Sequence, residues 1–589
     1  MARVAPKKQV VVVGLGWAGS LMSMELAKAG MDVLALERGD DRNTVPDFQY
    51  PDVADELRYG VRMGFMQKPR RSTVTIRNEL NQTALPYRQL GAFLPGDGVG
   101  GAGIHWNGLT WRPMEAEFEL LTHTEKNFGK NVIPEGMTIR DWGITYKELE
   151  PYMDRFEYVA GVSGQAGNVQ GKVVPDGNPF EGPRARPYPL PPLPDTYDAA
   201  LFRTTAKELG YHPFTLPASN ASESYTNEYG MQLGPCNFCG FCGRYGCLNY
   251  SKASPQTCVL DALKRLSNFQ YKTRCEVLKI EKSADGKTAT GVTYFDEYAN
   301  EEVFQPADIV ILTAFQLHNV HLMLLSGIGE AYDPVQETGV VGRNYSYQVM
   351  GATRLFYKDK DFKPYMASGC GGVAIDDFSV GQNNFAELGF VGGSFFMAGT
   401  QGGTPILSTA VPAGTKGWGA DWKQKVGDWY GHSMQIVSHG ANMSYRDCYL
   451  DLDPTYQDRF GRPLMRMTFN WKPNDIRMTN HAKTKIEELA HAMQPDSISS
   501  NYMRDGSNFD VRPYQTTHTV GGAIMGADPT QSALNRFQQS WSVHNVFVVG
   551  ANAFPQNTQY NPTGAVGALA YYAAEAILTR YIQAPRPLI

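Results

Sequence analysis

The 589-residue chain has no window with the roughly 18 apolar residues that a membrane span needs; its best candidate, 566–578, is short and contains Glu575. A membrane-crossing helix is therefore not expected. Positive charge is not in excess either. Lys and Arg total 54 against 59 Asp and Glu, a formal net charge of −5. That excludes a nucleic-acid binder acting through bulk electrostatics and disfavours a polybasic membrane-surface protein. Charged residues are few, at 19%, while 42% of the chain is hydrophobic and 12% aromatic, a composition that excludes disorder. Internal repeats, low-complexity stretches and the Cys-x-x-Cys-His motif of c-type haem are all missing. The N-terminus runs directly into an apolar strand, without a signal-peptide layout. A chain this long buries enough core to need no disulfide staples, and at roughly 150 residues per domain it should hold two to four domains. These exclusions leave a soluble, multidomain protein of enzyme size.

Cysteine is scarce but unevenly placed. Of eight cysteines, Cys236, Cys239, Cys242, Cys247 and Cys258 fall within 23 positions, while Cys275, Cys370 and Cys448 are scattered. Even spacing would suggest buried apolar thiols; clustering suggests a ligand set.

Gln9–Val13 is a continuous apolar run suited to a strand buried on both faces. Gly14-Leu-Gly16-Trp17-Ala18-Gly19 follows, then a helical pattern over 20–29 stopped by Gly30, and a second strand at 32–36 closed by Glu37. Gly14, Gly16 and Gly19 thus satisfy G-x-G-x-x-G in its required strand–turn–helix setting. They supply a tight turn, close backbone approach to a pyrophosphate, and close helix–strand packing. The helix N-terminus attracts the anion. Glu37 is placed to accept hydrogen bonds from an adenosine ribose and to repel a 2′-phosphate, which argues against NADP. The motif alone does not separate FAD from NAD. Further along, 160–200 is rich in Gly and Pro, 307–312 is a second buried strand followed by a helix through Leu324, and 345–510 reads as a β-rich unit. The tail returns to an apolar strand at 546–549 and a helix from about Thr563 to Tyr581.

The remaining motifs are the glycine-rich loop Val99-Gly100-Gly101-Ala-Gly-Ile-His105-Trp-Asn107, Leu325–Gly329, Val341–Asn344, His518–Gly526 with Asp528-Pro529, Val548–Asn552 with Phe554-Pro555, and Asn561-Pro562-Thr563. In this order they resemble the glucose–methanol–choline (GMC) oxidoreductases along nearly the whole chain. The resemblance implies FAD and an α/β fold, with a Rossmann-like FAD-binding domain discontinuous in sequence and a β-rich substrate domain of pyranose-oxidase-like type. The implied division is 1–110 with 225–345 and 511–589 for FAD, 111–224 as linker and irregular excursion, 232–260 as the cysteine segment, and 346–510 for substrate. Cofactor contacts are expected from Gly14, Gly16, Trp17, Ala18, Gly19, Glu37, Gly100, Gly101, His105, Asn107, Asn552 and Pro562.

Departures from the family pattern narrow the subgroup. Gly522 and Ala523 replace the Thr-Cys of a common segment, and Val-Gly-x-Asn-x-x-x-His ends here in Gln348. Where many members carry paired histidines, this chain offers His518 and Asn561. Hydride transfer from a carbinol carbon requires the hydroxyl proton to leave with it. A neutral histidine can take that proton while an amide holds the oxygen. His518 is assigned as base and Asn561 as its oxygen-orienting partner; the bland alternative is a hydrogen-bonded core histidine. His105 resembles the family's covalently flavinylated histidine, against the alternative of a ring packed beside the flavin. The other nine histidines show no motif and are read as ordinary surface or core residues.

The spacing Cys236-x2-Cys239-x2-Cys242-x4-Cys247 is one residue longer than the bacterial ferredoxin run, with glycines between that let backbone N–H groups face sulfur. No histidine lies between His212 and His318, whereas many zinc sites add one or use separated pairs. An iron–sulfur cluster is expected, with zinc and free thiols as alternatives. Resemblance to the family's membrane-bound sugar dehydrogenases implies [3Fe–4S] on Cys236, Cys242 and Cys247, with Cys239 as a possible spare. Cys258 is read as structural.

A cluster beside a flavin suits a dehydrogenase better than an oxidase. The resemblance therefore implies oxidation of a secondary alcohol of a sugar acid or sugar, D-gluconate to 2-dehydro-D-gluconate first, with 2-ketogluconate, sorbitol and fructose as rivals and an oxygen-using oxidase as the alternative of another class. It also implies a small subunit, a membrane-anchored multihaem cytochrome c, ubiquinone as indirect acceptor, and a place on the periplasmic face of the bacterial inner membrane reached through those partners.

Overall fold

The computed structural model describes residues 2–48, 68–88, 93–400 and 409–588. Its central element is an eight-stranded sheet. Phe269–Lys272, Val33–Leu36, Lys8–Val13 and the long strand Glu301–Leu312 run parallel in that order, with Val546–Val548 added in parallel at the C-terminal end of Glu301–Leu312 and the short Arg3–Val4 at its N-terminal end. Ala289–Asp296 and Cys275–Lys282 continue it antiparallel from the N-terminal part of the long strand. The parallel part is valine-rich because both its faces are covered. Val11, Val13, Val310 and Leu312 enter one core cluster, while Val10, Val12, Ile309 and Ile311 enter another on the opposite face.

Helix Trp17–Lys28 leaves the first strand through the Gly14–Gly16 turn and is buried along most of its length. Helix Thr563–Ala576 packs against it and against Tyr146–Ala160. The C-terminal helix expected to reach Tyr581 changes at Ile577 into a π-turn through Tyr581.

A six-stranded antiparallel sheet stands over the first. Its order is Ser497–Asn501, Val349–Phe356, Ser433–Gly440, Ser394–Ala398, Val373–Ile375 and Phe214–Thr215. Helix Pro473–Ala492 covers one face. The opposite face carries Met350, Met397 and His439 toward the cavity described below. A four-stranded sheet joins Tyr449–Gln457 and Pro463–Thr468 to the hairpin Val74–Arg77 and Leu85–Tyr87.

Two features depart from the sequence-based division. The hairpin 74–87 pairs with strands from 449–468, so this sheet crosses the boundaries drawn at 110 and 346. The stretch 111–224, expected to be linker, holds helices Leu120–Phe128, Tyr146–Ala160 and Tyr197–Glu208, whose apolar sides are buried. Only 161–196 matches the irregular reading, because Gly and Pro there interrupt any period. Helix Tyr146–Ala160 is tied to that excursion by a buried ion pair between Glu157 and Arg184, while Arg112 bridges Glu150 and Glu157 at 2.8 Å. No helix among the described residues is long and apolar enough to cross a membrane.

Candidate active site

A cavity of about 500 Å3 runs from the first strand–turn–helix unit to the inner face of the six-stranded sheet. At one end it is lined by Gly14, Gly16, Trp17, Ala18 and Glu37, with Gly101, His105 and Asn107 from the glycine-rich loop. Gly14 takes φ +94°, and a Cβ there would stand 2.8 Å from the Thr313 carbonyl oxygen. A Cβ on Gly19 would come within 2.1 Å of the Gly14 oxygen, so Gly19 serves helix–turn packing and does not line the wall. Gly16 differs: its nearest neighbour would be Gly101 Cα at 3.8 Å, so protein packing does not demand a glycine. The open side at Gly16, next to a helix N-terminus without a side-chain cap, is the cradle a pyrophosphate requires.

Glu37 is buried and holds the turn from within. One carboxylate oxygen accepts from Leu15 N at 3.1 Å and the other from Gly39 N at 2.8 Å. Burial raises its pKa, while these two N–H groups pull it back down. Gly100 and Asn552 lie behind the wall. Gly100 N donates to Leu15 O at 2.7 Å and its Cα faces the Gln256 side chain. Asn552 Oδ1 accepts from Asn319 Nδ2 at 2.8 Å, locking two loops together. Pro562 lines the cavity at the start of helix Thr563–Ala576. The residues present fit a dinucleotide with a ring system reaching His105, whose buried Nε2 has no hydrogen-bond partner.

His518 and Asn561 meet at the other end. Asn561 Nδ2 lies 3.1 Å from His518 Nε2, and Asn561 Oδ1 is buried without a partner. The His518 carbonyl accepts from Asn557 Nδ2 at 2.8 Å and from Gln348 N at 3.2 Å, which fixes the backbone beneath the ring. Burial drives the His518 pKa down to about 3, with His439 adding to the effect. The imidazole is thus neutral at ordinary pH, as a proton acceptor must be. The pair can take a hydroxyl proton and hold its oxygen.

The structure corrects the expectation that the remaining histidines are ordinary. His439, on strand Ser433–Gly440, lines the same cavity, and its ring centre is 5.9 Å from that of His518. Both imidazoles bond through Nδ1 to Gln348 Oε1, His439 at 2.9 Å. Only the departure at Gln348 gave a sequence signal for this arrangement; His439 gave none, because strand pairing alone brings it there.

The cysteine segment packs behind the His105 loop. Gly243 and Arg244 line the cavity, and Arg244 N donates to His105 O at 2.7 Å. The fully buried Lys252 ammonium donates to Trp106 O, Cys242 O and Tyr245 O at 2.7–2.8 Å, stitching the two loops together. Asn220 Nδ2 reaches both Cys242 Sγ at 3.4 Å and Cys236 Sγ at 3.8 Å. Phe238 N points at Cys236 Sγ and Lys252 N at Cys247 Sγ, each at 3.5 Å. Cys239 sits where its backbone bridges Ala367. Cys370, expected to be a scattered thiol, is buried one residue from Gly369, where a Cβ would stand 2.2 Å from Cys242 Cβ. Cys258 is buried at the start of its helix. All eight cysteines are free. Among the described residues, no three acidic, histidine or cysteine side chains stand as they would around one metal ion. The two backbone N–H groups directed at the Cys236 and Cys247 sulfurs are the kind of donor that would suit a bound cluster.

Comparison with known proteins agrees with this architecture. The GMC oxidoreductase family models match residues 142–350 and 444–570. The gluconate 2-dehydrogenase flavoprotein of Pantoea cypripedii is 49% identical, over 100% of this chain and 96% of that protein. The fructose dehydrogenase large subunit of Gluconobacter japonicus is 22% identical over 97% of each chain. The crystal structure of pyridoxine 4-oxidase from Mesorbium loti superposes with a TM-score of 0.57 at 15% identity, covering 98% of this chain and 100% of that one, a likeness of fold. With family models spanning more than half its length and a full-length relative at 49% identity, the chain belongs to the GMC oxidoreductase family.

Proposed function

We propose that this chain is the flavoprotein of a sugar-acid dehydrogenase that oxidises the secondary alcohol of D-gluconate to 2-dehydro-D-gluconate. The observation that carries the reading is the His518–Asn561 pair, 3.1 Å apart, in the cavity that begins at the Gly14–Gly19 turn. The name of the relative at 49% identity supplies the substrate. When bound, FAD supplies the hydride acceptor and an iron–sulfur cluster on the cysteine segment supplies a one-electron outlet.

His518 receives the substrate's hydroxyl proton at Nε2, exchanging there its contact with Asn561 Nδ2, because its Nδ1 hydrogen is committed to Gln348. Asn561 holds the oxygen beside that nitrogen. Gly14, Gly16, Gly101 and Glu37 hold the dinucleotide, and His105 stands at its ring system, where a covalent bond through Nε2 is expected. Cys236, Cys242 and Cys247 hold the cluster, with Cys239 as a further thiol of the segment. Lys252 and the Arg244–His105 backbone bond keep this segment close to the cofactor cavity. A small subunit and a membrane-anchored multihaem cytochrome c complete the enzyme, with quinone as final acceptor, at the periplasmic face of the inner membrane.

An anaerobic substrate panel tests the proposal. D-gluconate, 2-ketogluconate, sorbitol and fructose are added in turn while flavin absorbance is followed, with EPR on the same oxidised sample. Bleaching by gluconate ahead of the others, with an iron–sulfur signal, is expected. Absence of bleaching by any of them, or zinc as the sole metal, would overturn it.

A further inference from the structure

The side-chain amide of Gln348 fixes more than one base. Its Nε2 donates to the carbonyl oxygens of Gln559 at 2.8 Å and Tyr560 at 3.2 Å. Reversing the amide would set its oxygen against those carbonyls, so Oε1 must face the two imidazoles. An oxygen can only accept; His439 and His518 must therefore both carry their proton on Nδ1. Both then keep a lone pair on Nε2.

For His518 that lone pair is the proposed base. For His439 it has no partner among the described residues, although the ring lines the same cavity. The ring is held rigidly. Strand Ser433–Gly440 lies between two others, with His439 opposite Met350 on one side and Phe395 on the other. The Phe395 ring stacks on the imidazole at 5.1 Å and 29°. Two neutral imidazoles, their ring centres 5.9 Å apart, tilted 40° to each other and fixed by one amide oxygen, thus offer two acceptors to the same cavity.

We propose that His439 accepts a hydrogen bond, at Nε2, from the substrate hydroxyl on the carbon next to the one oxidised, so that the site selects a vicinal diol. The inference rests on the polyol or sugar-acid reading above and assigns that reading its recognition residue. A carboxylate or a keto oxygen has no hydrogen to give and is not accepted there. In D-gluconate the hydroxyl at C3 is the group addressed.

The test uses the full-length, flavin-loaded chain, with anaerobic flavin bleaching as the readout, and compares D-gluconate with 3-deoxygluconate in the wild type and in His439→Asn. The Asn amide nitrogen overlays Nδ1 and still braces Gln348, but nothing replaces the distal lone pair. The wild type should prefer gluconate by about tenfold in kcat/KM, the worth of one neutral hydrogen bond. His439→Asn should lose that preference, the ratio of the two kcat/KM values falling to about one whatever the absolute rates. If the variant keeps the tenfold ratio, or slows both substrates equally, His439 serves only as a brace and the inference falls. If gluconate, 2-ketogluconate, sorbitol and fructose all fail to bleach the wild-type flavin, the proposed function itself fails. Visible flavin spectra and thermal midpoints of the two proteins separate either outcome from misfolding, since a folded variant keeps both.

Discussion

The side-chain oxygen of Gln348 faces Nδ1 of His518, and that contact leaves Nε2 as the nitrogen with a lone pair toward Asn561. Replacing Gln348 with Leu removes the acceptor, so the ring is free to carry its proton on either nitrogen and to rotate. A tautomer error at a catalytic imidazole can cost up to about 10⁴-fold. A loss of about 10²-fold in the rate of flavin bleaching is expected for Gln348→Leu, with substrate affinity changed far less. His518→Ala should lose 10²–10⁴-fold, the usual contribution of a general base. A Gln348→Leu enzyme that bleaches at the wild-type rate would show that the tautomer is fixed by something else.

The same burial that shapes the pair predicts its pH behaviour. Burial takes His518 down to about 3 and His439 to about 4. A free histidine would protonate near 6.5 and lose activity below it. Here the neutral form persists well below that value, so the bleaching rate should hold from pH 7 to about pH 5 rather than fall tenfold or more. The stability contribution has the opposite exposure to acid. Both folded pKa values lie below the unfolded value, so these groups cost nothing above about 6.5 and destabilise progressively as pH falls from there toward 4. Stopped-flow bleaching across pH 5–8 checks the first statement; an acid limb centred near 6.5 would contradict it.

How much of this was legible in the chain differs from one element to the next. The Gly14–Gly19 turn, Glu37 and the strands on either side could be read directly, because their chemistry is local: one strand, one turn, one helix. His518 and Asn561 were legible only through their family resemblance, since 43 residues separate them and no period links them. His439 was not legible at all. Its place beside His518 comes from the register Met350↔His439 and Phe395↔His439, a long-range pairing that leaves no trace in a single sequence. Cys370 escaped for the same reason, reaching Cys242 through the fold of a loop more than a hundred residues away. The 74–87 hairpin was assigned to the nucleotide-binding part by proximity in sequence, whereas its hydrogen bonds go to 463–468.

Lys252 offers a test of the link between the two loops. Its ammonium is fully buried, and three carbonyl oxygens take its three hydrogens. Burial lowers its pKa, and the cysteines around it raise it again. Lys252→Met leaves those carbonyls unpaired, at a cost of about 1–3 kcal/mol for each buried group left unsatisfied. The expected result is a lower thermal midpoint together with loss of iron and acid-labile sulfide relative to bound flavin, because the cysteine segment is no longer held against Trp106. Retention of full iron content in a destabilised Lys252→Met protein would separate Lys252 from the proposed cluster and leave it a purely structural clasp.

His105 gives the last prediction. Its Nε2 is buried, unpartnered and on the wall of the cofactor cavity, and burial with the nearby Lys252 and Arg244 charges lowers its pKa to about 3. The imidazole is therefore neutral at any working pH, and with its proton on Nδ1 it offers the Nε2 lone pair that bond formation with an electrophilic cofactor carbon requires. A buried ring nitrogen with neither hydrogen bond nor bond to a ligand costs about 1–3 kcal/mol, so an unlinked His105 would be a standing penalty. Acid-denatured wild-type protein should carry its flavin absorbance through precipitation and onto a denaturing gel, while His105→Ala should release all of it. The variant should still bind flavin through the Gly14–Gly19 turn, because those contacts do not involve the histidine. Complete release of flavin from the denatured wild type would reduce His105 to a ring packed beside the cofactor.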